Sequence, residues 1–471
     1  MKKILFLSLS LLTAAGMSAK VTLPSVLGSN MVLQQQCNAN LWGKAAPSKK
    51  VTVTTSWDNR KYTVQAAADS TWKTAVATPA AGGPYSIRIS DGEAIVLDNV
   101  MIGEVWICSG QSNMQMPVTG FPGQPVVGSN EAILNGTNSD IRMFVVRREV
   151  SDRPLDDCNT DTGWQEATTE SVAGFTAVGY FFGLNLYKVL GIPIGLIETD
   201  WGGTRIETWM DMETAQKVEQ NQVEKDKNHQ APNKTAQLYN AMIHPLVNYT
   251  AQGFIWYQGE SNVGRHETYA ERLADMVQLW RKEWGLGELP FYFAEIAPYA
   301  YGGTQQEKAA YLREAQFRAQ SLIPNSGMIS TNDLVEPYEI YNIHPRNKTK
   351  VGQRLSYLAL NLTYGLKQIH CFGPQYKSWT AKGSEAWVSF DHLEMGICRN
   401  YDLRGFEVAG EDRVFHPADK VWLHWQTNEV VISSEKVPNP VAVRYCFRDF
   451  QVGTMIGGNE LPTIPFRTDN W

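Results

Sequence analysis

Residues Glu104-Val-Trp-Ile-Cys-Ser-Gly-Gln-Ser-Asn-Met114 form the stretch of this sequence that most strongly restricts the fold. The stretch begins with a continuous apolar run, Val105 to Cys108, and continues into small polar residues around Gly110. Continuous apolar runs are typical of parallel strands that are buried on both faces, because half-exposed strands alternate apolar with polar residues. A glycine directly after such a run allows a sharp change of chain direction. We therefore predict a buried parallel strand that ends in a tight turn.

Three further runs of this kind follow along the chain, and each ends in polar or glycine-rich residues: 192–198, 253–258 and 289–295. Between the last two runs, apolar residues recur at helical spacing over 265–284, which predicts an amphipathic helix. Alternation of buried strands with helices predicts an α/β fold with a mostly parallel sheet and helices on both faces. Such folds place their chemistry at the carboxyl ends of the strands.

On both sides of this α/β segment, the continuous apolar runs give way to short runs in which apolar and polar residues alternate. Short runs that alternate apolar and polar residues, such as 50–56 and 85–90, predict a small antiparallel sandwich before it, and similar short runs follow His370. At 471 residues the chain also exceeds what one hydrophobic core usually supports. We expect a signal peptide over 1–19, an N-terminal β-sandwich domain over 20–98, a catalytic domain over 99–369 and a β-rich region over 370–471.

The start of the chain has the pattern of a secretory signal. Lys2 and Lys3 precede an apolar run from Ile4 to Leu12, and small residues follow up to Ala19. The run is too short to span a bilayer, and no later segment is long and apolar enough to do so. We therefore expect a periplasmic or secreted protein with a cleaved signal peptide and no membrane span.

Charge and cysteine content narrow the expected partners and cofactors. Lys plus Arg number 42 against 48 Asp plus Glu, without a run of like charges, so a nucleic acid is not an expected partner. Six sparse cysteines permit a disulfide, for instance within Cys371, Cys398 and Cys446, without forming a disulfide framework. No Cys-x-x-Cys pair occurs, and His266 lacks the second histidine of a His-Glu-x-x-His motif because position 270 is Ala, so no metal site is predicted.

Ser112 is the candidate nucleophile, since it follows the first buried strand directly. A serine on a turn between a strand and a helix exposes its hydroxyl, and its backbone N–H is free to face an oxyanion. A serine in such a place is also a common helix N-cap. The Gly-x-Ser-x-Gly elbow of α/β-hydrolases is incomplete here, because Met114 occupies its last position. The turn alone therefore leaves both roles open.

Three other segments could complete a serine-based site. Gly202 and Gly203 follow the second buried strand, where their backbone N–H groups could line an oxyanion hole or form an ordinary turn. Gln258 and Asn262 follow the third strand and could donate amide N–H groups to the same hole or tie down a loop. His344 lies on a loop ahead of a helical run and is the candidate general base.

These four segments, in this order, resemble the SGNH-hydrolase superfamily and, within it, the sialate O-acetylesterase family of carbohydrate esterases. The blocks that carry the resemblance are Gly-Gln-Ser-Asn-Met, Trp-Gly-Gly-Thr, Trp-Tyr-Gln-Gly-Glu-Ser-Asn and Ile-His-Pro-x-Asn-Lys, all between about Gly103 and Leu360. The resemblance implies a three-layer SGNH-type domain and a serine esterase that removes acetyl groups from a carbohydrate without a cofactor. It implies O-acetylated sialic acid as the substrate, with acetylated xylan as the alternative.

The resemblance also implies roles for single residues. It makes Ser112 the nucleophile and His344 the base, and it builds the oxyanion hole from the Ser112 N–H, an N–H of the Gly202–Gly203 pair and a side-chain amide. Gln258 is the first choice for that amide, because it follows its strand immediately, and Asn262 is the second.

The third member of the catalytic triad is where the sequence departs from the family pattern. The superfamily usually has an Asp three residues before the His, but position 341 is Tyr. The carboxylate could come from Asp333, which follows a short apolar run, or a backbone carbonyl could orient the imidazole instead. Asp333 is the preferred choice.

Three residues just past the glycine pair are candidate substrate contacts: Arg205, Glu207 and Trp209. Arg205 and Glu207 could equally form an ion pair beside the site.

A glycoside hydrolase is the main alternative function, because Glu198, Glu260 and Glu295 each end a buried strand and a pair of carboxylates is required to cleave a glycosidic bond. This alternative predicts a closed barrel with more strands, and it gives no role to Ser112 or His344. A non-catalytic carbohydrate-binding protein built from the β regions is a second alternative, but it does not explain four polar segments at strand ends.

Overall fold

The computed structural model of the chain describes residues 20–218, 232–399 and 402–471, so the expected signal peptide over 1–19 lies outside the described residues. The strands β1 to β21 are, in chain order, Val32–Gln34, Asn38–Lys44, Lys50–Thr55, Lys61–Gln65, Thr71–Ala77, Gly82–Ser90, Ala94–Gly110, Asn138–Val145, Gln165–Ala167, Ile194–Asp200, Gly253–Tyr257, Phe291–Ala294, Ser326–Ile329, Gln375–Lys382, Glu385–Asp391, Phe406–Ala409, Phe415–Pro417, Lys420–His424, Glu429–Ser433, Ala442–Tyr445 and Phe466–Arg467. The α-helices α1 to α8 are Ser112–Gln115, Ser129–Leu134, Thr169–Gly174, Ala177–Leu190, Met212–Val218, Tyr269–Trp284, Lys308–Leu322 and Lys348–Leu358.

A central sheet with the strand order β13-β12-β11-β7-β10-β8-β9 forms the middle of the molecule. Its neighbouring strands pair in parallel, except that β9 runs antiparallel to β8 at one edge. All four apolar runs singled out in the sequence lie in this sheet, as β7, β10, β11 and β12. The prediction of an α/β fold with a mostly parallel sheet is confirmed.

Both faces of the central sheet are covered, which explains why its strands are apolar without interruption. Trp106 and Cys108 of β7 face one core, where they meet residues of α4 and α8 such as Phe182. Val105 and Ile107 point to the other face and pack with residues of α6 and α7. Successive side chains of a strand point to opposite faces, so an alternating pattern here would have buried polar groups on one side.

The predicted amphipathic helix is α6, which begins at Tyr269 after a short 3-10 turn over His266–Thr268. Trp280 on its buried face packs edge-on against Trp256 of β11, with ring centroids 5.7 Å apart. The helix ends at Gly285, whose φ of 66° is the left-handed conformation in which glycine commonly terminates helices. The aromatic residues of this helix therefore build the core.

The strand β7 also belongs to a second, antiparallel sheet at the N-terminal side of the molecule. Its first half pairs with β6, for instance Val96 with Arg88, and its second half pairs with β10 and β11. The expected boundary between residues 98 and 99 therefore falls inside one continuous strand. Beyond residue 370, two four-stranded sheets share a core, in the orders β14-β15-β19-β18 and β17-β16-β20-β21. The division of the chain into domains stays a prediction.

All six cysteines are free thiols, so the disulfide considered within Cys371, Cys398 and Cys446 does not form. Cys108 and Cys446 are buried, and burial raises the pKa of Cys446 to about 12. Both thiols are therefore protonated at neutral pH and serve as small apolar side chains. Within the described ranges, no helix is long and apolar enough to cross a membrane.

Candidate active site

The polar segments predicted from the sequence lie at the point in the central sheet where the order of successive strands reverses. The chain leaves β7 toward β8 and β10 on one side, and then crosses to β11 on the other. Ser112, Gly202 and Gln258 follow the carboxyl ends of β7, β10 and β11, which are three adjacent strands. Such a topological switch point opens a crevice between the loops, and ligands of open α/β sheets bind there.

The turn that carries Ser112 depends on Gly110 at the end of β7. Gly110 has a φ of +146°, and a Cβ atom at this position would lie 2.2 Å from the Tyr257 carbonyl oxygen, so no larger residue fits. The Gln111 N–H donates to that same oxygen at 3.0 Å, and α1 then begins at Ser112. Gln111 occupies the N-cap position and Ser112 is the first helical residue, so the role of Ser112 is not that of a helix cap. Its side chain is half-buried.

The glycine pair packs directly against the Ser112 turn. A Cβ atom on Gly202 would lie 3.0 Å from the Ser112 Cβ and 3.0 Å from the Gln115 Oε1. The Gly202 N–H donates to Gln115 Oε1 at 2.7 Å and is therefore already used. Gly203 is exposed, with a φ of +72°, and its N–H has no hydrogen-bond partner among the described residues. Of the two glycines, Gly203 keeps a free donor.

Gln258 is buried behind this crevice and ties loops together. Its Nε2 donates to Asn262 Oδ1 at 2.8 Å and to the Thr204 carbonyl oxygen at 3.0 Å. Its Oε1 accepts from the Tyr269 hydroxyl at 2.8 Å. Because both amide hydrogens are donated inside the protein, Gln258 has none left for an oxyanion. The expectation that it supplies the side-chain donor is therefore not supported by its contacts.

The same holds for Asn262, the second choice for that donor. Its Oδ1 also accepts from the Ile206 N–H at 3.0 Å, and its Nδ2 donates to Glu207 Oε2 at 3.1 Å. Glu207 in turn forms an ion pair with Arg272 at 2.9 Å, and both side chains are buried. The segment after the glycine pair is thus anchored from inside.

This anchoring corrects two of the three expected substrate contacts. Glu207 is held in the buried ion pair, and Trp209 is fully buried with its indole N–H donated to Thr204 Oγ1 at 3.0 Å. Neither side chain can reach a substrate in the crevice. Arg205 is half-buried, and its guanidinium donates to the Asn233 carbonyl oxygen at 3.1 Å, so its role as a substrate contact stays a prediction.

A hydrogen bond between the residue after Ser112 and the residue before His344 links the two segments. The Asn113 Nδ2 donates to the Ile343 carbonyl oxygen at 3.0 Å, and it also donates to the carboxylate of Glu260. The loop after α1 closes over the imidazole, whose ring lies edge-on to Phe121 with centroids 5.2 Å apart. The hydrogen bond therefore places the segment of the predicted nucleophile beside the segment of the predicted base.

The imidazole of His344 is oriented by Gln124, which the sequence analysis did not identify. Its Nδ1 lies 2.9 Å from Gln124 Oε1. Asp333, the expected third member, is held in a two-point ion pair with Arg354 at 2.7 and 2.6 Å. The preferred expectation is therefore corrected, and the alternative of a backbone carbonyl is not needed either. Gln124 lies in a Pro- and Gly-rich loop with no motif of its own, so no sequence signal pointed to it.

Burial and a neighbouring cation keep the His344 imidazole neutral. Burial, with a smaller contribution from the charge of Lys348, lowers the pKa of His344 from its ordinary 6.5 to about 4. Lys348 is itself buried and donates to the Pro345 carbonyl oxygen, and burial lowers its own pKa to about 7. A neutral imidazole at physiological pH is the form that a general base requires.

The carboxylates considered for a glycosidase are used inside the protein. Glu198 accepts from the Thr176 N–H at 2.9 Å, Glu260 accepts from Asn113, and Glu295 accepts from the Thr331 N–H at 2.9 Å. All three are buried, and burial raises the pKa of each. None of them lies exposed in the crevice as an acid–base pair on either side of a glycosidic bond would.

Comparison with known proteins gives a consistent result. A family model described as carbohydrate esterase, sialic acid-specific acetylesterase, matches residues 102–361. The sialate O-acetylesterases of Pongo abelii and Mus musculus are 30% identical over 418 residues and 28% identical over 443 residues, covering 82% of this chain and 79% and 81% of theirs. A crystal structure of a carbohydrate acetylesterase from Xanthomonas citri has a TM-score of 0.86 at 34% identity, covering 96% of this chain and all of that one.

Proposed function

The chain belongs to the carbohydrate esterase family of sialic acid-specific acetylesterases, and from this we propose that it hydrolyses O-acetyl esters of sialic acids through an acyl-enzyme on Ser112. It is therefore a carboxylic ester hydrolase. The observation that best supports the serine mechanism is the hydrogen bond from Asn113 to the Ile343 carbonyl oxygen. It holds the residue after Ser112 against the residue before His344. We further propose that the catalytic part has the three-layer SGNH fold and that the chain is exported by its signal peptide.

In the first step, the Ser112 hydroxyl attacks the carbonyl carbon of the acetyl ester while the Nε2 of His344 takes its proton. The contact between Nδ1 and Gln124 Oε1 supports this, because an Nδ1–H that donates to the amide oxygen leaves Nε2 as the acceptor. The bond between the acetyl carbon and the sugar oxygen then breaks, the imidazolium gives its proton to that oxygen so that the sugar leaves as an alcohol, and the acetyl group stays on Ser112. A water molecule, deprotonated by His344, releases acetate and restores the serine.

The negative charge on the carbonyl oxygen requires hydrogen-bond donors, and we propose three. The Ser112 N–H at the start of α1 and the Gly203 N–H are two backbone donors without partners among the described residues. The third is the side-chain amide of Gln115, whose Oε1 accepts from the Gly202 N–H at 2.7 Å, which fixes this amide beside the glycine that packs against Ser112. Each such donor contributes about 3 kcal/mol to the lowering of the barrier in serine hydrolases. Gln115 takes the place that Gln258 and Asn262 cannot fill.

Sialic acid differs from xylose in carrying a carboxylate, and Arg205 at the crevice favours the acidic sugar. It follows the glycine pair by two residues and is half-buried, which suits a cation that must reach a substrate from a fixed position. The names of the sequence relatives point the same way.

The substrate is tested by comparing acetate release from an O-acetylated sialic acid with release from acetylated xylan. We expect kcat/KM for the sialic acid to be higher by about tenfold or more. An ion pair between Arg205 and the sugar carboxylate would be lost with the neutral xylan ester, which leaves a half-buried charge without its partner. An Arg205→Gln variant serves as the matched control, since it should lose this preference while keeping activity on the neutral xylan ester. A clear preference of the wild type for xylan would make the protein an acetylxylan esterase instead.

The pH profile should reflect the lowered pKa of His344. The folded-state pKa lies below the ordinary value, so the neutral base persists as the pH falls through 6.5 and is lost only near pH 4. We expect the acidic limb of kcat/KM to fall near pH 4, with circular dichroism at each pH showing that the protein is still folded. An acidic limb between pH 6 and 7 in a folded protein would mean that His344 is exposed or is not the base.

A further inference from the structure

The last residue of the Ile-His-Pro-x-Asn-Lys block, Lys348, has no role in the mechanism above. It is the first residue of α8, four positions after His344, and it is only 1% exposed. Lysine is rarely buried to this extent unless it is paired, and the first turn of a helix favours negative rather than positive charge. A lysine in this place therefore needs compensating contacts inside the protein.

The peptide segment around His344 is held on both sides. After the histidine, the Lys348 Nζ donates to the Pro345 carbonyl oxygen. Before the histidine, the Asn113 Nδ2 donates to the Ile343 carbonyl oxygen at 3.0 Å. Because a buried side chain binds each of the two flanking carbonyl groups, the backbone that carries the imidazole has little freedom to rotate.

Two buried carboxylates balance the charge of Lys348. Glu260 follows β11, and one of its oxygens, Oε2, has no hydrogen-bond partner among the described residues. Glu339 precedes the histidine and accepts from the Arg346 N–H at 3.2 Å, so it belongs to the same loop. Both negative charges act on the Lys348 ammonium group, and the Tyr257 ring of β11 lies 5.9 Å from its Nζ. The ammonium group is thus the cation between the end of β11 and the loop that carries the histidine.

We propose that Lys348 is a positioning residue for the ester hydrolysis, which holds the His344 loop in place through Pro345 and supplies a buried positive charge beside that loop. The proposal rests on the proposed role of His344 as general base. In this role Lys348 does not touch the substrate, and it acts only through the histidine. Its two contributions are separable, because the hydrogen bond fixes the geometry of the base and the charge determines the pH range in which the base is neutral.

The charge acts on the imidazole because a nearby cation disfavours a second one. Phe121 and Gln124, which contact the imidazole from the loop after α1, are uncharged. At pH values below its pKa of about 7, Lys348 carries its proton, so the charge is present where His344 titrates. Removing this charge raises the pKa of His344 from about 4 towards 6.5, although burial still holds the pKa below that value.

The test compares Lys348→Met with Lys350→Met in the full chain. Methionine fills the space of the buried lysine without its charge or its donor, and Lys350 is exposed in the same first turn of α8, so its replacement is the matched control. With p-nitrophenyl acetate as the substrate, we expect kcat of Lys348→Met to fall by about tenfold with KM nearly unchanged, because the base is less well held. Its acidic limb of kcat/KM should move upward by about half a pH unit or more. Lys350→Met should match the wild type in both measurements.

NMR of the imidazole adds a readout that does not require turnover. In protein labelled with isotope-enriched histidine, the His344 signal is assigned by its loss in His344→Ala, and its pH titration is followed in the wild type and in both lysine variants. We expect the midpoint to lie near pH 4 in the wild type and in Lys350→Met, and at a higher pH in Lys348→Met. A failure of the esterase assignment would appear as a lack of acetate release by the wild type with this difference intact, so the two failures are distinguishable.

Thermal unfolding shows whether each variant is folded, and Lys348→Gln, which keeps an N–H donor but no charge, replaces Lys348→Met where the latter does not fold. The proposal is overturned by a folded variant of Lys348 whose acidic limb does not move, since a loss of kcat alone would reflect a purely structural lysine. An equal shift in Lys350→Met, or a wild-type His344 that titrates near its ordinary pKa of 6.5, would overturn it as well. This last measurement needs no variant at position 348.

Discussion

Replacing Ser112 by alanine is expected to lower kcat for acetate release by about 10⁴-fold or more, since loss of the nucleophile removes the acyl-enzyme route altogether. The same change should alter the free energy of unfolding by no more than about 0.5 kcal/mol, because Ser112 is half-buried and makes no capping hydrogen bond. Rates are measured with an O-acetylated sialic acid and stability by denaturant unfolding. Substrate binding should be retained.

Ser109→Ala is the matched control for this experiment. Ser109 lies three residues earlier on β7, and its buried hydroxyl has no hydrogen-bond partner among the described residues. Its removal costs no hydrogen bond, so activity should remain close to that of the wild type. If Ser112→Ala still releases acetate at a substantial rate, Ser112 is not the nucleophile.

Replacing His344 by alanine is the second change with a large expected effect, a loss of about 10³-fold or more in kcat, because the serine hydroxyl is a weak nucleophile without an adjacent base. KM should change little, since His344 acts on the hydroxyl proton and not on the sugar. Single-turnover kinetics would show whether acylation itself is slowed. A variant that keeps its acylation rate would exclude His344 as the base.

The residue that orients His344 can be identified by comparing two further variants. Gln124→Leu removes the acceptor at 2.9 Å from Nδ1 and frees the ring, which should lower kcat by about 10²-fold with KM unchanged. Asp333→Asn breaks the two-point ion pair with Arg354, so it should lower stability and leave kcat nearly intact. The reverse pattern, with kcat lost in Asp333→Asn and kept in Gln124→Leu, would restore Asp333 to the triad.

The elements that sequence analysis located correctly are those whose signals are local. The run Val105–Cys108 is apolar because its neighbours cover it on both sides, and the glycine after it is required by the close approach of the Tyr257 carbonyl oxygen. Both features are readable from a few consecutive residues. The position of Ser112 at a strand end followed from the same short stretch.

The hydrogen-bond partners could not be predicted in this way, because they depend on contacts between distant loops. Gln124 and His344 are separated by 220 residues. An amide such as Gln258 can face a crevice or the interior from the same place at the end of a strand, and the sequence does not distinguish these orientations. Tyr269 on α6 and Asn262 turn it inward, and only the packed structure shows this.

The strand β7 makes the N-terminal sheet and the central sheet mechanically continuous. A strand that is paired in two sheets cannot leave one of them without losing register in the other. The N-terminal strands are therefore paired with the same strand that ends in the Ser112 turn, and local opening of either sheet would disturb the other. Without them, the first half of β7 would be an unpaired edge, available for pairing with other chains. Their most basic contribution is to cover this half of the strand while its carboxyl end carries Ser112.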